Sequence, residues 1–136
     1  MSQTGGSLIR KRVLVVDDDP SIRHMLCRIL VDEGYAALGA AGGREGINAA
    51  AACEVDLVLL DLKMPGMNGQ ETLKELAALR PGLPVIIMTA FSGRLIEGDL
   101  KRASALFQKP LDFPVLLDAV KTILARPPLA NNLLQH

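Results

Sequence analysis

The run VLVVDDDP, residues 13–20, decides the fold. Four apolar residues lead straight into three aspartates, and a proline closes the run. A short β-branched segment of this kind reads as a strand buried on both faces, the habit of strands in a parallel sheet. Packing gives no reason for three carboxylates at its end, because like charges repel. Alone, the acids read as a solvated strand-to-helix turn. Their meaning depends on what other segments bring to them.

Those segments follow one grammar. After the aspartates, Ser21 is placed to cap a helix whose Ile22, Met25, Leu26, Ile29 and Leu30 share one face, and Gly34 stops it. Residues 36–40 make a weak strand, and 44–53 an alanine-rich helix with a thin stripe through Ile47 and Ala50 or Ala51. Residues 55–60 are almost continuously apolar and end at Asp61; the turn formers of LKMPGMNG follow. Residues 71–80 are helical with Leu73, Leu76 and Leu79 inward, and Pro81–Gly82 ends them. A strand over 85–88 ends at Thr89, and the polar stretch SGRLIEGDLKR is a poor helix. A short strand over 105–108 precedes Lys109–Pro110. Asp112 caps a last helix with Leu116, Leu117, Val120, Ile123 and Leu124 inward, and Pro127–Pro128 terminates it.

Strands alternating with helices make βα units, hence a parallel sheet covered on both faces. The expected fold is α/β: a single doubly wound five-stranded parallel sheet, order 2-1-3-4-5, flavodoxin-like. Residues 1–7 read as a flexible leader, 8–126 as the folded domain and 127–136 as a C-terminal tail with no room for an effector domain.

Composition narrows the function classes. With 136 residues there is one ordinary domain. An apolar share of 49% and a charged share of 22% are those of a globular chain. Fifteen basic residues balance fifteen acidic ones, and Trp is absent, which argues against direct nucleic-acid binding. Cys27 and Cys53 form no CxxC pair and read as reduced thiols. The apolar run after Arg10–Arg12 is too short for a signal peptide, and no later run spans a bilayer. A soluble cytoplasmic domain is expected, with no membrane contact.

In such a sheet all strand ends lie on one edge, and the crevice beside the reversal of strand order is the expected ligand site. Asp17 and Asp18 follow strand 1, Asp61 ends strand 3, Thr89 ends strand 4 and Lys109 follows strand 5. Carboxylates that repel one another accept a hard cation such as Mg²⁺, which takes oxygen ligands and commonly shares them with phosphate. An ammonium and a hydroxyl complete the parts needed to move a phosphoryl group by positioning and charge neutralisation. One carboxylate can itself be the nucleophile.

At this point the chain resembles the receiver domains of response regulators in two-component signalling. VLVVDDDP, VDLVLLDLKMPGMNG, VIIMTA and FQKP match the family's acidic pair, phosphoacceptor strand, hydroxyl strand and lysine segment, in order over about residues 11–126. The resemblance implies that Asp61 is the phosphoacceptor and that Asp18, Asp61 and the Lys63 backbone carbonyl ligate Mg²⁺, with Asp17 acting mostly through water. It implies Thr89 and Lys109 as contacts of the phosphoryl oxygens. It gives Asp19 no role; by helix-start chemistry Asp19 and Pro20 begin the helix. Partners would be a histidine kinase or histidine phosphotransfer protein, and a downstream effector protein or domain. Catalysis would be limited to the domain's own Mg²⁺-dependent phosphorylation and dephosphorylation. The family's switch couples Thr89 to a residue, usually aromatic, at the Leu106 position, and changes the face built by the segment before strand 5, strand 5 and the last helix. Phe107 is expected on the opposite face from Leu106.

Two other function classes compete with this one. A phosphohydrolase of the haloacid-dehalogenase type typically has a second aspartate two residues after its nucleophile; here that position is Lys63. A receiver fold that serves only as an interaction module predicts loss of a key residue, and none is lost. His24 reads as a surface residue.

Overall fold

The structure, a computed structural model, describes residues 10–62, 69–90 and 102–126. Five strands and four helices form among them: β1 (Arg12–Val16), α1 (Pro20–Asp32), β2 (Ala36–Ala40), α2 (Gly43–Ala52), β3 (Leu57–Asp61), α3 (Gly69–Leu79), β4 (Val85–Thr89), β5 (Ala105–Gln108) and α4 (Phe113–Ala125). All strand pairs are parallel and the sheet order is β2-β1-β3-β4-β5. The α/β expectation and the strand order both hold.

Alternation along each strand divides the apolar residues between two cores. Leu14, Val16, Val58, Leu60, Val85 and Ile87 face α2 and α3 and meet Ile47, Ala50, Leu73 and Leu76. Val13, Val15, Leu57, Leu59, Ile86 and Met88 face α1 and α4 and meet Leu26, Leu30, Leu116, Val120 and Ile123. Each such side chain, fully buried, is worth about 1.5–3 kcal/mol. These layers supply the stability that lets charged groups sit at the strand ends.

Local chemistry fixes the helix ends. Asp19, not Ser21, caps α1: its Oδ1 accepts from the Ser21 N–H at 2.9 Å and the Ile22 N–H at 3.4 Å, with Pro20 as the first helical residue. The proline needs no donor there and its φ suits a helix, which moves the cap two residues ahead of Ser21. At the far end Gly34 takes φ +101°, and the Tyr35 N–H closes on the Leu30 carbonyl at 3.0 Å. Asp112 caps α4 by accepting from the Val115 N–H at 3.2 Å, as its position suggested.

Some inward assignments fail. Met25 and Leu79 are 49% and 41% exposed, because each falls at the rim of its helix's apolar stripe beyond reach of the sheet. Of the two alternatives on α2 it is Ala50 that is buried, Ala51 being exposed; His24 is exposed, as a surface residue would be. The leader, the stretch 91–101 and the tail from residue 127 lie outside the described residues. No helix among the described residues is long and apolar enough to cross a membrane.

Candidate functional site

Four of the five side chains picked out at the strand ends are buried or nearly so. The chain leaves β1 at Asp17, which is fully buried; its N–H donates to the Ala40 carbonyl at 3.0 Å, one step past the β1–β2 register. Asp61 closes β3 at 4% exposure and Thr89 closes β4 at 2%. Lys109 follows β5, where its backbone N–H donates to the Thr89 carbonyl at 2.8 Å. That bond joins the hydroxyl-bearing strand end to the lysine segment, which contains a cis Lys109–Pro110 peptide. The Lys109 side chain is 14% exposed and reaches past the ends of β4 and β3 to Asp17 beyond β1. Asp18, by contrast, is exposed.

The charges interlock. Lys109 Nζ donates to Asp17 Oδ2 at 2.9 Å and to Asp61 Oδ2 at 3.4 Å, so one ammonium bridges two buried carboxylates. Burial disfavours its charge, but the hydrogen bond to Asp17 and the charges of Asp61 and Asp17 outweigh that and raise the Lys109 pKa above the ordinary lysine value. The other Asp17 oxygen, Oδ1, accepts from the Asp19 N–H at 2.9 Å. Asp17 is therefore an anchored acid.

One carboxylate oxygen each from Asp17, Asp18 and Asp61 lies within 4.8 Å of the others. Three carboxylates against one ammonium leave two formal negative charges among these four side chains. The donors are hard oxygens, one acid faces solvent, and the net charge matches a divalent cation. This set fits Mg²⁺ or a similar ion. The Lys63 carbonyl, expected as a further ligand, lies outside the described residues.

Two features had no place in the sequence reading. Gly69 opens α3 so close to the residue after Asp61 that a Cβ on it would stand 2.3 Å from Leu62 Cα; its N–H donates to the Leu62 carbonyl at 3.0 Å. In the sequence it was only a turn former. Arg23 Nη1 donates to the Asp17 carbonyl at 2.8 Å. Its sequence signal was silent, since an arginine on the flank of a helix ordinarily reads as a solvated surface residue. At the expected switch position Leu106 is 41% exposed, and Phe107 on the other face packs against the α1–α4 core, as alternation requires.

A family model for the response regulator receiver domain matches residues 13–121. Sporulation initiation phosphotransferase F of Bacillus subtilis is 38% identical over 127 residues, covering 92% of this chain and all of that protein. The transcriptional regulatory protein ZraR of Salmonella typhimurium is 40% identical over 83% of this chain, which spans only 26% of that regulator's length. Among solved structures, a CheY-like receiver domain from Methanospirillum hungatei superposes with a TM-score of 0.78 at 33% identity, covering 85% of this chain and 94% of that one. The response regulator TrrA of Thermotoga maritima, solved in complex with Mg²⁺–BeF, gives 0.77 at 34% identity over 83% of this chain and 98% of that one. The motifs, the sheet order, the acid–lysine cluster and these likenesses agree: the chain belongs to the response-regulator receiver domains of two-component signalling.

Proposed function

We propose that Asp61 is the phosphoacceptor, taking a phosphoryl group from a histidine kinase, a histidine phosphotransfer protein or a small acyl phosphate. The observation that carries this is the Lys109 ammonium bridging the buried Asp17 and Asp61 carboxylates beside the exposed Asp18. An Asp61 oxygen attacks phosphorus, the donor's P–N or P–O bond breaks, and an acyl phosphate remains on Asp61. The added group brings roughly 1.5–2 negative charges. In this reading Lys109, bonded to both carboxylates, offsets part of that charge, and the Thr89 hydroxyl donates to a phosphoryl oxygen.

A bound divalent cation would supply the rest of the charge neutralisation. Asp17, Asp18, Asp61 and the Lys63 carbonyl would hold it in this reading, and hydrolysis of the acyl phosphate at the same site would reset the domain. The folded domain spans residues 8–126, works in the cytoplasm and passes its state to a downstream effector protein or domain through Thr89 and Leu106.

Treatment with acetyl phosphate and Mg²⁺ followed by mass spectrometry should show a single added phosphate that is absent from Asp61→Ala. Equal labelling of that variant would remove Asp61 from the role.

A further inference from the structure

Arg23 lies one turn into α1, where its backbone N–H donates to the Asp19 carbonyl at 2.9 Å. Its side chain then turns back toward the sheet. Cγ and Cδ lie 3.1 Å from where a Cβ on Gly39 of β2 would stand, and Nη1 reaches the Asp17 carbonyl at 2.8 Å. That carbonyl belongs to the peptide unit whose nitrogen is Asp18's own. The guanidinium charge is thus applied to a main-chain oxygen, while the Asp17 carboxylate is taken by Lys109 at 2.9 Å and the Asp19 N–H at 2.9 Å.

The consequence falls on Asp18. Asp17 is fixed by its burial and by both carboxylate oxygens, but the exposed Asp18 depends for its direction on how the 17–18 peptide is turned. A charge-assisted hydrogen bond is about twice as strong as a neutral one, so a peptide oxygen held by a guanidinium resists rotation. We infer that Arg23 is a positioning residue: it locks the Asp17–Asp18 peptide so that the Asp18 carboxylate faces Asp61, and the gap at Gly39 is the lane its stem runs in. This rests on reading the acids as a Mg²⁺ site. A guanidinium this near the acids also repels a cation, so position and charge act in opposite directions and can be separated.

The test compares Arg23→Lys, which keeps the charge without the planar fork, with Arg23→Gln, which removes the charge. Mg²⁺ is titrated into each metal-free chain by calorimetry, and amide exchange at Asp18 and Asp19 is followed by NMR without metal. Arg23→Lys should bind Mg²⁺ about tenfold more weakly, the lower end for groups that orient metal ligands. Arg23→Gln should also bind more weakly but by less, because the repelling charge goes with the fork; both should show faster exchange at Asp18. Gly39→Ala, which crowds the stem with Arg23 present, should move both readouts the same way by less. Tighter Mg²⁺ binding by Arg23→Gln beside an unchanged Arg23→Lys would mean that charge alone matters, and the inference falls. Unchanged affinity and exchange in both, with only a lower Tm, would leave Arg23 a stabilising residue and also overturn it. A wild-type chain that takes up no Mg²⁺ refutes the metal reading instead, and the exchange data then decide the positioning role.

Discussion

Asp17 and Asp18 are chain neighbours with opposite circumstances. Crowding of like charges suggests that removing either would stabilise the metal-free protein, and for the exposed Asp18 that argument stands. For Asp17 the structure reverses it. Asp17 is fully buried, pairs with Lys109 at 2.9 Å and holds the Asp19 N–H at 2.9 Å. Breaking a buried pair usually costs 3–5 kcal/mol; because Lys109 keeps Asp61 at 3.4 Å, we expect about 2 kcal/mol for Asp17→Ala. Thermal melts without metal should show Tm lower by roughly 8 °C in Asp17→Ala and slightly higher in Asp18→Ala. Matching shifts in the two variants would contradict this division. The raised Lys109 pKa keeps the ion pairs complete at neutral pH: their contribution is full below the ordinary lysine range and is lost only as pH rises through the shifted value.

At the scale of elements, the start of α3 meets the end of β3 at close quarters, Gly69 against Leu62. Leu62 follows Asp61, is 8% exposed, and its backbone fills the space where a Cβ on Gly69 would lie, with Leu62 Cα, C and O at 2.3–2.7 Å. Backbone cannot rotate aside as a side chain can, so Gly69→Ala must push α3 or the end of β3 away. Overpacking of this kind costs about 3 kcal/mol. Gly69→Ala should therefore lower Tm markedly and also slow phosphorylation by acetyl phosphate, since the displaced residue adjoins Asp61. Normal phosphorylation in a destabilised Gly69→Ala protein would show that α3 absorbs the shift and the site does not.

For the whole molecule, the question is how a charge added at Asp61 reaches a partner. The sheet is buried on both faces by two packed cores, which resist gradual deformation. Lys109 and Thr89 are joined through a 2.8 Å backbone bond, so strands β4 and β5 respond together at their ends. Leu106 on β5 is a 41% exposed aliphatic residue with no ring to swing inward, and Phe107 is committed to the opposite face. The larger change is then expected in the chain between Thr89 and β5. Hydrogen exchange with and without phosphorylation should place the main protection difference in residues 90–104. A difference confined to residues 105–108 would sink that expectation.

The sequence by itself determined the fold class, the strand order and most of the site. Short, continuously apolar strands alternating with helices of period 3.6 leave few ways to cover a parallel sheet, and such a sheet collects its strand ends on one edge. Asp17, Asp18, Asp61, Thr89 and Lys109 could be assembled that way before any coordinates. Tertiary structure alone decided what each of them experiences. Burial of Asp17 beside an exposed Asp18, the Lys109 bridge, the Gly69–Leu62 contact and the path of Arg23 over Gly39 all join different segments of the chain or differ between neighbours. Local pattern encodes which face a residue takes. Depth, partner and distance depend on the packing of other segments, and no periodicity within one segment records them.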